Sequence, residues 1–116
     1  MSWNINKVFL IGRLTADITL NQLDSGVVVG KSSIAVSNRP AKDGENSTSF
    51  FNFVVWGKTA ENCAKYIKKG SKIAIDGCLD QRSWTALDGS KKSLVEIIAE
   101  RIEFLDSKKD NTDIDF

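Results

Sequence analysis

The 116-residue sequence predicts a small all-β domain, a closed barrel that carries one helix. Two observations favour this fold: short runs of β-branched and aromatic residues alternate with turn signals, and a single segment has clear helical periodicity. A chain of this length supports one core, and a composition that is 41% apolar and 27% charged is typical of a globular protein.

The first part of the chain consists of strands. Residues 6–14 are rich in β-formers and predict the first strand. A second extended run, 18–23, meets the turn residues 24–26 and returns as 27–37, which predicts a hairpin. Residues 38–47 contain the only proline and predict a loop.

The strongest strand of the sequence, 48–56, comes directly before the helix. Strict alternation would direct alternate residues of this strand to the core, namely Phe51, Phe53 and Val55. In the helix, apolar residues recur at i, i+3, i+4 and i+7, as Ala60, Cys63, Ala64 and Ile67. Thr59 is the expected N-cap, and Gly70 is the expected stop.

The last part of the domain contains a fourth strand and an ambiguous segment. Residues 72–84 alternate as a strand, with Ile73, Ile75, Gly77 and Leu79 on the apolar side, and Asp88-Gly89 marks a turn. Residues 94–105 combine helix-like apolar spacing with β-branched residues, so periodicity leaves helix and strand both open. With a fifth strand here, the pattern is a five-stranded Greek-key barrel of the oligonucleotide-binding (OB) kind, with the helix between strands 3 and 4.

Composition excludes several functions. The chain has no histidine and two cysteines, so a structural zinc site and most hydrolytic triads are not expected. Together with the family resemblance described below, this predicts a protein that is not an enzyme and has no cofactor. Polar and charged residues interrupt the first twenty positions, which predicts neither a signal peptide nor a transmembrane span. We therefore expect a cytoplasmic protein with no membrane partner.

Charge is unevenly distributed along the chain. Residues 1–105 contain fourteen basic and eleven acidic side chains, a net charge of +3, whereas residues 106–116 contribute −2. This predicts a mildly basic domain, 1–105, followed by a short unstructured acidic tail, 106–116. Such an arrangement is typical of a polyanion-binding protein with an interaction tail.

The aromatic residues raise the question of base stacking. Alternation places Trp84 on the polar side of its strand, two residues from Arg82. An exposed ring stacks on nucleobases of any sequence, but a bulge that shifts the alternation would make Trp84 ordinary packing, and both interpretations stay open. For Phe50 and Trp56 the residue pattern alone favours core packing.

Charged side chains give weaker signals. Most lysines lie on solvated surfaces, although basic side chains in this chain are suited to following a phosphate backbone. Asp76 and Asp80 share one strand face, which is compatible with a metal site, but no third ligand accompanies them and surface charge is the better interpretation.

Several segments, taken in order, resemble the bacterial single-stranded DNA-binding protein family. They are NKVFLIGRL near the start, AVSN at 35–38, FFNFVVWGKTAENCAKYIKKGSKIAIDGCL at 50–79, RSWT at 82–85 and EIIAERIEFL at 96–105. The resemblance implies an OB fold in which 94–105 is a strand. It further implies a homotetramer that wraps single-stranded DNA, independently of sequence, in replication, recombination and repair.

The resemblance also assigns roles to individual residues. It implies base stacking by Phe50, Trp56 and Trp84, and a subunit interface that includes Asn6, Val8 and Phe51. Basic side chains are expected along the DNA backbone, namely Arg13, Lys31, Arg39, Lys42, Lys58, Lys69, Arg82, Lys91 and Lys92. Two competing functions remain, a primosomal-type OB accessory protein and a metal-dependent nuclease that uses Asp76 and Asp80.

The C-terminus, DNTDIDF, resembles the family's acidic tip, which binds replication and repair proteins. The resemblance implies a partner-binding role for Asp113, Ile114, Asp115 and Phe116, in which aspartates contact a basic rim and the apolar residues anchor the tip. Three features depart from the family pattern: Pro40 lies in a loop that often carries another tryptophan, Ile18 replaces a common proline, and Asp115 stands where the tip usually has proline. The family's long linker is also almost absent, and a frayed acidic tail without a partner is the simpler alternative.

Overall fold

Six strands and one helix make up the part of the chain that the computed structural model describes, residues 3–40 and 42–106. The strands are β1 (Val8–Leu14), β2 (Thr19–Gln22), β3 (Val28–Ser37), β4 (Thr48–Trp56), β5 (Lys72–Thr85) and β6 (Lys91–Phe104). The helix α1 (Gly57–Tyr66) joins β4 to β5. Segment 94–105, which the residue pattern left ambiguous, is therefore mostly strand.

Five of these strands close into a ring. The sheet order is β1-β5-β6-β4-β3-β2, and an additional pairing of Arg13 with Ala35 and of Leu14 with Ile34 joins β1 to β3. The β4–β6 pairing is parallel and the other pairings are antiparallel. Because β2 lies beside β3 and outside the ring, the predicted five-stranded barrel with a helix between its third and fourth strands is confirmed.

The core fills this ring with the inward side chains of alternate positions. The largest fully buried side chains are Phe53, Leu14, Ile34, Ile73, Ile75, Ile97 and Val55. Helix α1 packs against the same core through Ala60 and Cys63, with Ala64 half-buried, and Ile67, the residue directly after the helix, is buried beside them, so the apolar face predicted from the spacing is confirmed. Since both layers exclude water over a continuous apolar surface, the ring and the helix stabilise each other.

Both ends of the helix differ from the prediction. Trp56 is the N-cap residue and makes no side-chain capping hydrogen bond, so Thr59 lies within the first turn and the predicted N-cap is wrong. Gly57, with φ 65°, allows the chain to pass directly from β4 into the helix. The helix ends at Tyr66, four residues before Gly70, which instead turns the chain toward β5 with φ 90°.

A bulge bends the long β5–β6 hairpin. Asp76 pairs with Arg101 and Gly77 with Ala99, so Glu100 is an extra residue on β6. Strand β5 itself is uninterrupted, and its alternation continues from Asp76 to Trp84. A bulge therefore exists, but it does not move Trp84 to the other face.

Two residues on the predicted core side are partly exposed. Phe51 is 40% exposed and Leu79 is 47% exposed. Phe51 lies toward the start of β4, and Leu79 lies where the β5–β6 hairpin leaves the barrel, so neither is fully covered. Among the residues described, no helix has the length and apolar character needed to cross a membrane.

Candidate nucleic-acid interface

Three aromatic side chains, which the resemblance assigns to base stacking, are partly open to solvent. Phe50 is 66% exposed, Trp56 is 44% exposed and Trp84 is 49% exposed. On β4, alternation directs Phe50 and Trp56 outward, because Phe53 and Val55 fill the core. Core packing, which the residue pattern favoured for Phe50 and Trp56, is therefore wrong.

Trp84 lies on the arm of the β5–β6 hairpin and is opposite Lys92. The hairpin turn is held by Ser90, which donates to the Asp88 carboxylate from its hydroxyl (2.6 Å) and from its backbone N–H (2.9 Å). These hydrogen bonds lower the pKa of Asp88, because they stabilise the ionised carboxylate. The ordered turn keeps Trp84 and Lys92 paired across the arm.

An apolar groove of about 270 Å³ lies next to Trp56. Its apolar lining includes Val29, Val54 and Ile98. Its charged lining consists of Lys31, Arg82, Asp80 and Glu96. An indole beside an apolar floor offers a base both a stacking surface and a region free of competing hydrogen bonds. The two cations at the side are suited to the phosphates that connect successive bases.

A polar groove of about 450 Å³ adjoins the apolar groove. It is lined by residues of the β1–β2 connection and of β2 to β6, among them Asp17, Ser33, Asn52 and Leu94. Lys31, Arg82 and Glu96 line both grooves and therefore mark the boundary between them.

An ion pair forms this boundary. Arg82 Nε lies 3.1 Å from Glu96 Oε1. The Glu96 residue is 8% exposed, whereas half of the Arg82 side chain remains exposed. Lys31 has no ion-pair partner within the described residues, so the boundary retains one cation that no carboxylate pairs with. Two further carboxylates line the grooves, Asp80 in the apolar one and Asp17 in the polar one.

The other basic side chains assigned to DNA do not line these two grooves. Arg13 lies in a separate groove of about 480 Å³, where it is 3.4 Å from the Asp106 carboxylate and donates to the Gly70 carbonyl (2.8 Å). Lys91 and Lys92 begin β6, and the remaining ones are exposed elsewhere: Arg39, Lys42, Lys58 and Lys69. Of the nine, the structure brings together Lys31 and Arg82.

Comparison with known proteins identifies the family. The model of the single-strand binding protein family matches residues 5–105. The chain belongs to this family. The resemblance that the sequence motifs indicated is thereby confirmed.

Individual relatives agree with this assignment. The chain is 43% identical over 107 residues to Single-stranded DNA-binding protein 3 of Listeria innocua, an alignment that covers 90% of this chain and 66% of that protein. It is 39% identical over 108 residues to Single-stranded DNA-binding protein 1 of Clostridium acetobutylicum, covering 91% and 98%. Among solved structures, a Plasmodium falciparum SSB in complex with ssDNA aligns with a TM-score of 0.80 and 27% identity, covering 91% of this chain and 99% of that chain.

The residues assigned to a subunit interface lie on β1, on the segment before it and on β4. The Asn6 side chain donates to the Leu79 carbonyl (2.8 Å) and accepts from the Leu79 N–H (2.9 Å), so it extends the β1–β5 pairing within one chain. Val8 packs against the core, whereas the next outward residues of β1, Phe9 and Ile11, are exposed. The interface assignment of Asn6, Val8 and Phe51 remains a prediction for this family member.

Of the two acidic residues considered for a metal site, Asp76 is engaged with another group and Asp80 lies opposite a second carboxylate. Lys7 donates a hydrogen bond to Asp76, and this bond raises the pKa of Lys7. Asp80 pairs in register with Glu96 across β5 and β6. Among residues 3–40 and 42–106, no cluster of three or more ligating side chains is found. The tip residues 113–116 lie outside the described residues.

Glu96 is a site residue that the sequence analysis missed. Its spacing after Ser93 imitates a helix capping box, which hides its position on a strand. The sequence nevertheless contains a signal for this position. If 94–105 pairs with 72–84 through the Asp88-Gly89 turn, Glu96 lies on the same face of the hairpin as Arg82. A buried carboxylate in the grooves of a protein whose family binds a polyanion requires an explanation.

Proposed function

We propose that this protein binds and covers single-stranded DNA, without reading its base sequence, in replication, recombination and repair. The observation that carries the proposal is the outer barrel surface, where Phe50, Trp56 and Trp84 are exposed and where the groove beside Trp56 contains Lys31 and Arg82. Membership of the single-strand binding protein family supports the same function. The proposal places the protein in the cytoplasm, associated with the nucleoid.

Stacking and charge together explain binding without sequence preference. Every nucleobase has a π-face, so an exposed Trp or Phe ring accepts any of the four bases, at about 1 to 3 kcal/mol per base. Cations at the groove side attract any phosphate and release counterions when it binds. Neither interaction distinguishes one sequence from another, whereas only single strands offer unpaired faces for stacking.

Intrinsic fluorescence tests this proposal directly. Trp56 and Trp84 are both assigned to stacking, so oligo(dT) is expected to quench emission strongly at low salt and more weakly at high salt. A single strand of mixed sequence should quench to a similar extent, and a duplex of the same sequence should not.

Two results would contradict the proposal. Unchanged emission with oligo(dT) at low salt would favour an accessory protein that acts through partners. Magnesium-dependent shortening of a labelled single strand would favour a nuclease. The single-strand binding protein family is a family of binding proteins, which agrees with the prediction that this chain is not an enzyme.

We also propose that the active form is a homotetramer. The exposed outward residues of β1, Phe9 and Ile11, supply apolar surface of the kind that association buries. Light scattering on the purified protein should give four times the mass of one chain, and with oligo(dT) that mass plus the mass of the bound oligonucleotide. A monomer at micromolar concentration would contradict this proposal and leave DNA binding open to separate measurement.

The tip residues 113–116 are proposed to recruit replication and repair proteins. The supporting pattern is an apolar pair, Ile114 and Phe116, among aspartates at the chain end, which suits a partner pocket with a basic rim. Deletion of 114–116 should leave the affinity for oligo(dT) intact and abolish capture of such partners from a bacterial lysate. Capture that survives the deletion would refute the recruiting role.

A further inference from the structure

Glu96 is the buried charged residue of the described chain, and the interface does not obviously need it. Removing a carboxylate from water is unfavourable unless a partner compensates, and a negative charge near a DNA path also opposes phosphate binding. Because Glu96 is unfavourable both for folding and for DNA binding, we expect it to have a role that compensates for these two costs. Its partner, Arg82, indicates what that role is.

The geometry of the ion pair restricts Arg82 in a specific way. The contact joins Glu96 Oε1 to Arg82 Nε, at 3.1 Å, rather than to the terminal nitrogens of the guanidinium. This contact holds the base of the planar fork and leaves both Nη groups for another acceptor. Arg82 is half exposed while Glu96 is buried, so the contact joins a buried carboxylate to a side chain that solvent, and hence a ligand, can reach.

The location of the pair defines the acceptor. Arg82, Glu96 and Lys31 are shared by the apolar groove next to Trp56 and by the adjoining polar groove. If successive nucleotides occupy the two grooves, the phosphate that connects them passes this boundary. Two Nη groups and one ammonium are suitable donors for that phosphate.

We propose that Glu96 is a positioning residue, which fixes Arg82 so that its Nη groups bind one phosphate of single-stranded DNA at the boundary between the grooves. This inference rests on the proposed function, single-stranded DNA binding. Its advantage is preorganisation: an arginine that is already held in place loses less side-chain freedom when the DNA arrives. Glu96 acts through Arg82 and does not itself contact the phosphate.

A set of substitutions separates positioning from charge. Glu96→Gln keeps an acceptor for Arg82 Nε but removes the negative charge, whereas Glu96→Leu removes both with a similar volume. We expect the affinity for oligo(dT) to be about five- to tenfold lower in Glu96→Leu than in Glu96→Gln. In an Arg82→Gln background the two Glu96 variants should bind equally, because there is no guanidinium left to position.

Two controls accompany this cycle. Glu103→Gln removes a carboxylate that pairs with Arg101 outside both grooves, and it should not change the affinity. The Nε–Hε resonance of Arg82 in an NMR spectrum of the DNA-free protein reports how ordered this side chain is. The measurement needs neither DNA nor a folded Glu96→Leu variant. The resonance should show an ordered Arg82 side chain in the wild type and in Glu96→Gln. Arg39, an exposed residue of the β3–β4 connection, should give the resonance of a mobile side chain.

The outcomes distinguish the inference from the function on which it rests. If the wild type binds oligo(dT) but Glu96→Leu and Glu96→Gln bind equally, the positioning role is wrong and the proposed function stands. A difference that persists without Arg82 also overturns the positioning role, since it would then act on another group. If Glu96→Leu does not fold, the wild type decides: an Arg82 side chain that is as mobile as that of Arg39 overturns the positioning role. A wild type that fails to bind refutes both.

Discussion

Trp84 and Tyr66 are both exposed aromatic residues, but their surroundings differ. Trp84 lies opposite Lys92 on the hairpin arm, whereas Tyr66 ends helix α1, where its ring is 5.6 Å from the Lys65 ammonium. Neither ring lines the apolar or the polar groove, but Trp84 lies on the same face of β5 as Arg82, which lines both. Exposure alone therefore does not distinguish the two rings, and the feature that does is the position of Trp84 on the strand face that carries Arg82.

The contrast between these residues gives a matched test. Trp84→Ala is expected to weaken oligo(dT) binding by about 1 to 3 kcal/mol, because one stacking platform is lost. Tyr66→Ala should change it by less than about 0.5 kcal/mol, the usual limit for surface substitutions. Fluorescence anisotropy of labelled oligo(dT) measures both. Equal effects of the two substitutions would argue against specific stacking at Trp84.

The buried Cys63 gives a pH dependence. Burial raises the pKa of the Cys63 thiol above its ordinary value of 9.0, since the thiolate is poorly solvated in the core. Well below pH 9 the thiol is protonated in both the folded and the unfolded chain, so it does not make stability depend on pH. Above it, the unfolded chain loses the proton first, and the free energy of unfolding is expected to fall as pH rises.

The control for this dependence is Cys63→Ala. Its unfolding free energy, measured in urea between pH 8 and pH 10, should decline less steeply than that of the wild type. The slopes are compared rather than the absolute values, because the smaller side chain also leaves a cavity. Parallel slopes would show that other groups cause the decline.

Individual elements are well encoded locally. Alternation and turn residues predict the β2–β3 hairpin and β4, because these depend on neighbours in the chain. The predicted start of α1 was wrong for a local reason as well. Gly57 turns the chain into the helix without any capping side chain, so a prediction based on cap residues selects Thr59. Segment 94–105 is the opposite case, since only its pairing partners decide between helix and strand.

Gly77 shows how the bulge in the β5–β6 hairpin depends on one residue. A Cβ atom at this position would lie 2.0 Å from the Ile98 carbonyl oxygen, a backbone atom that cannot move without distorting β6. Gly77→Ala is expected to destabilise the protein by about 3 kcal/mol. Urea unfolding should detect this as a lower midpoint with little change in slope.

The neighbouring residue provides the control for this prediction. Cys78 is half-buried on the same strand and has the opposite orientation, so Cys78→Ala should lower stability by about 1 kcal/mol or less. If Gly77→Ala were as stable as Cys78→Ala, the close approach of β5 and β6 at the bulge would not be required for the fold.

At the scale of the whole molecule, the closed ring combines contacts that no local pattern predicts. The β1–β3 pairing and the parallel β4–β6 pairing join distant segments, and the residue pattern predicted a closed barrel without specifying which strands pair to close it. The same limitation concealed Glu96, whose burial depends on ring closure. By contrast, the outward Trp84 was visible in the sequence, because a single uninterrupted strand determines its face.

The charge of the molecule is modest, so salt dependence should reflect where its cations lie rather than how many there are. Lys31 lines both grooves, and Lys65 lies on the helix outside them, although both are exposed lysines. Each phosphate contact contributes about 0.7 to the slope of log K against log salt for a single strand. Lys31→Gln is therefore expected to reduce the magnitude of the slope for oligo(dT) by about 0.7, whereas Lys65→Gln should leave it unchanged. Titrations at several sodium chloride concentrations measure the slopes, and an equal reduction in both variants would mean that diffuse charge, rather than the boundary between the grooves, attracts the DNA.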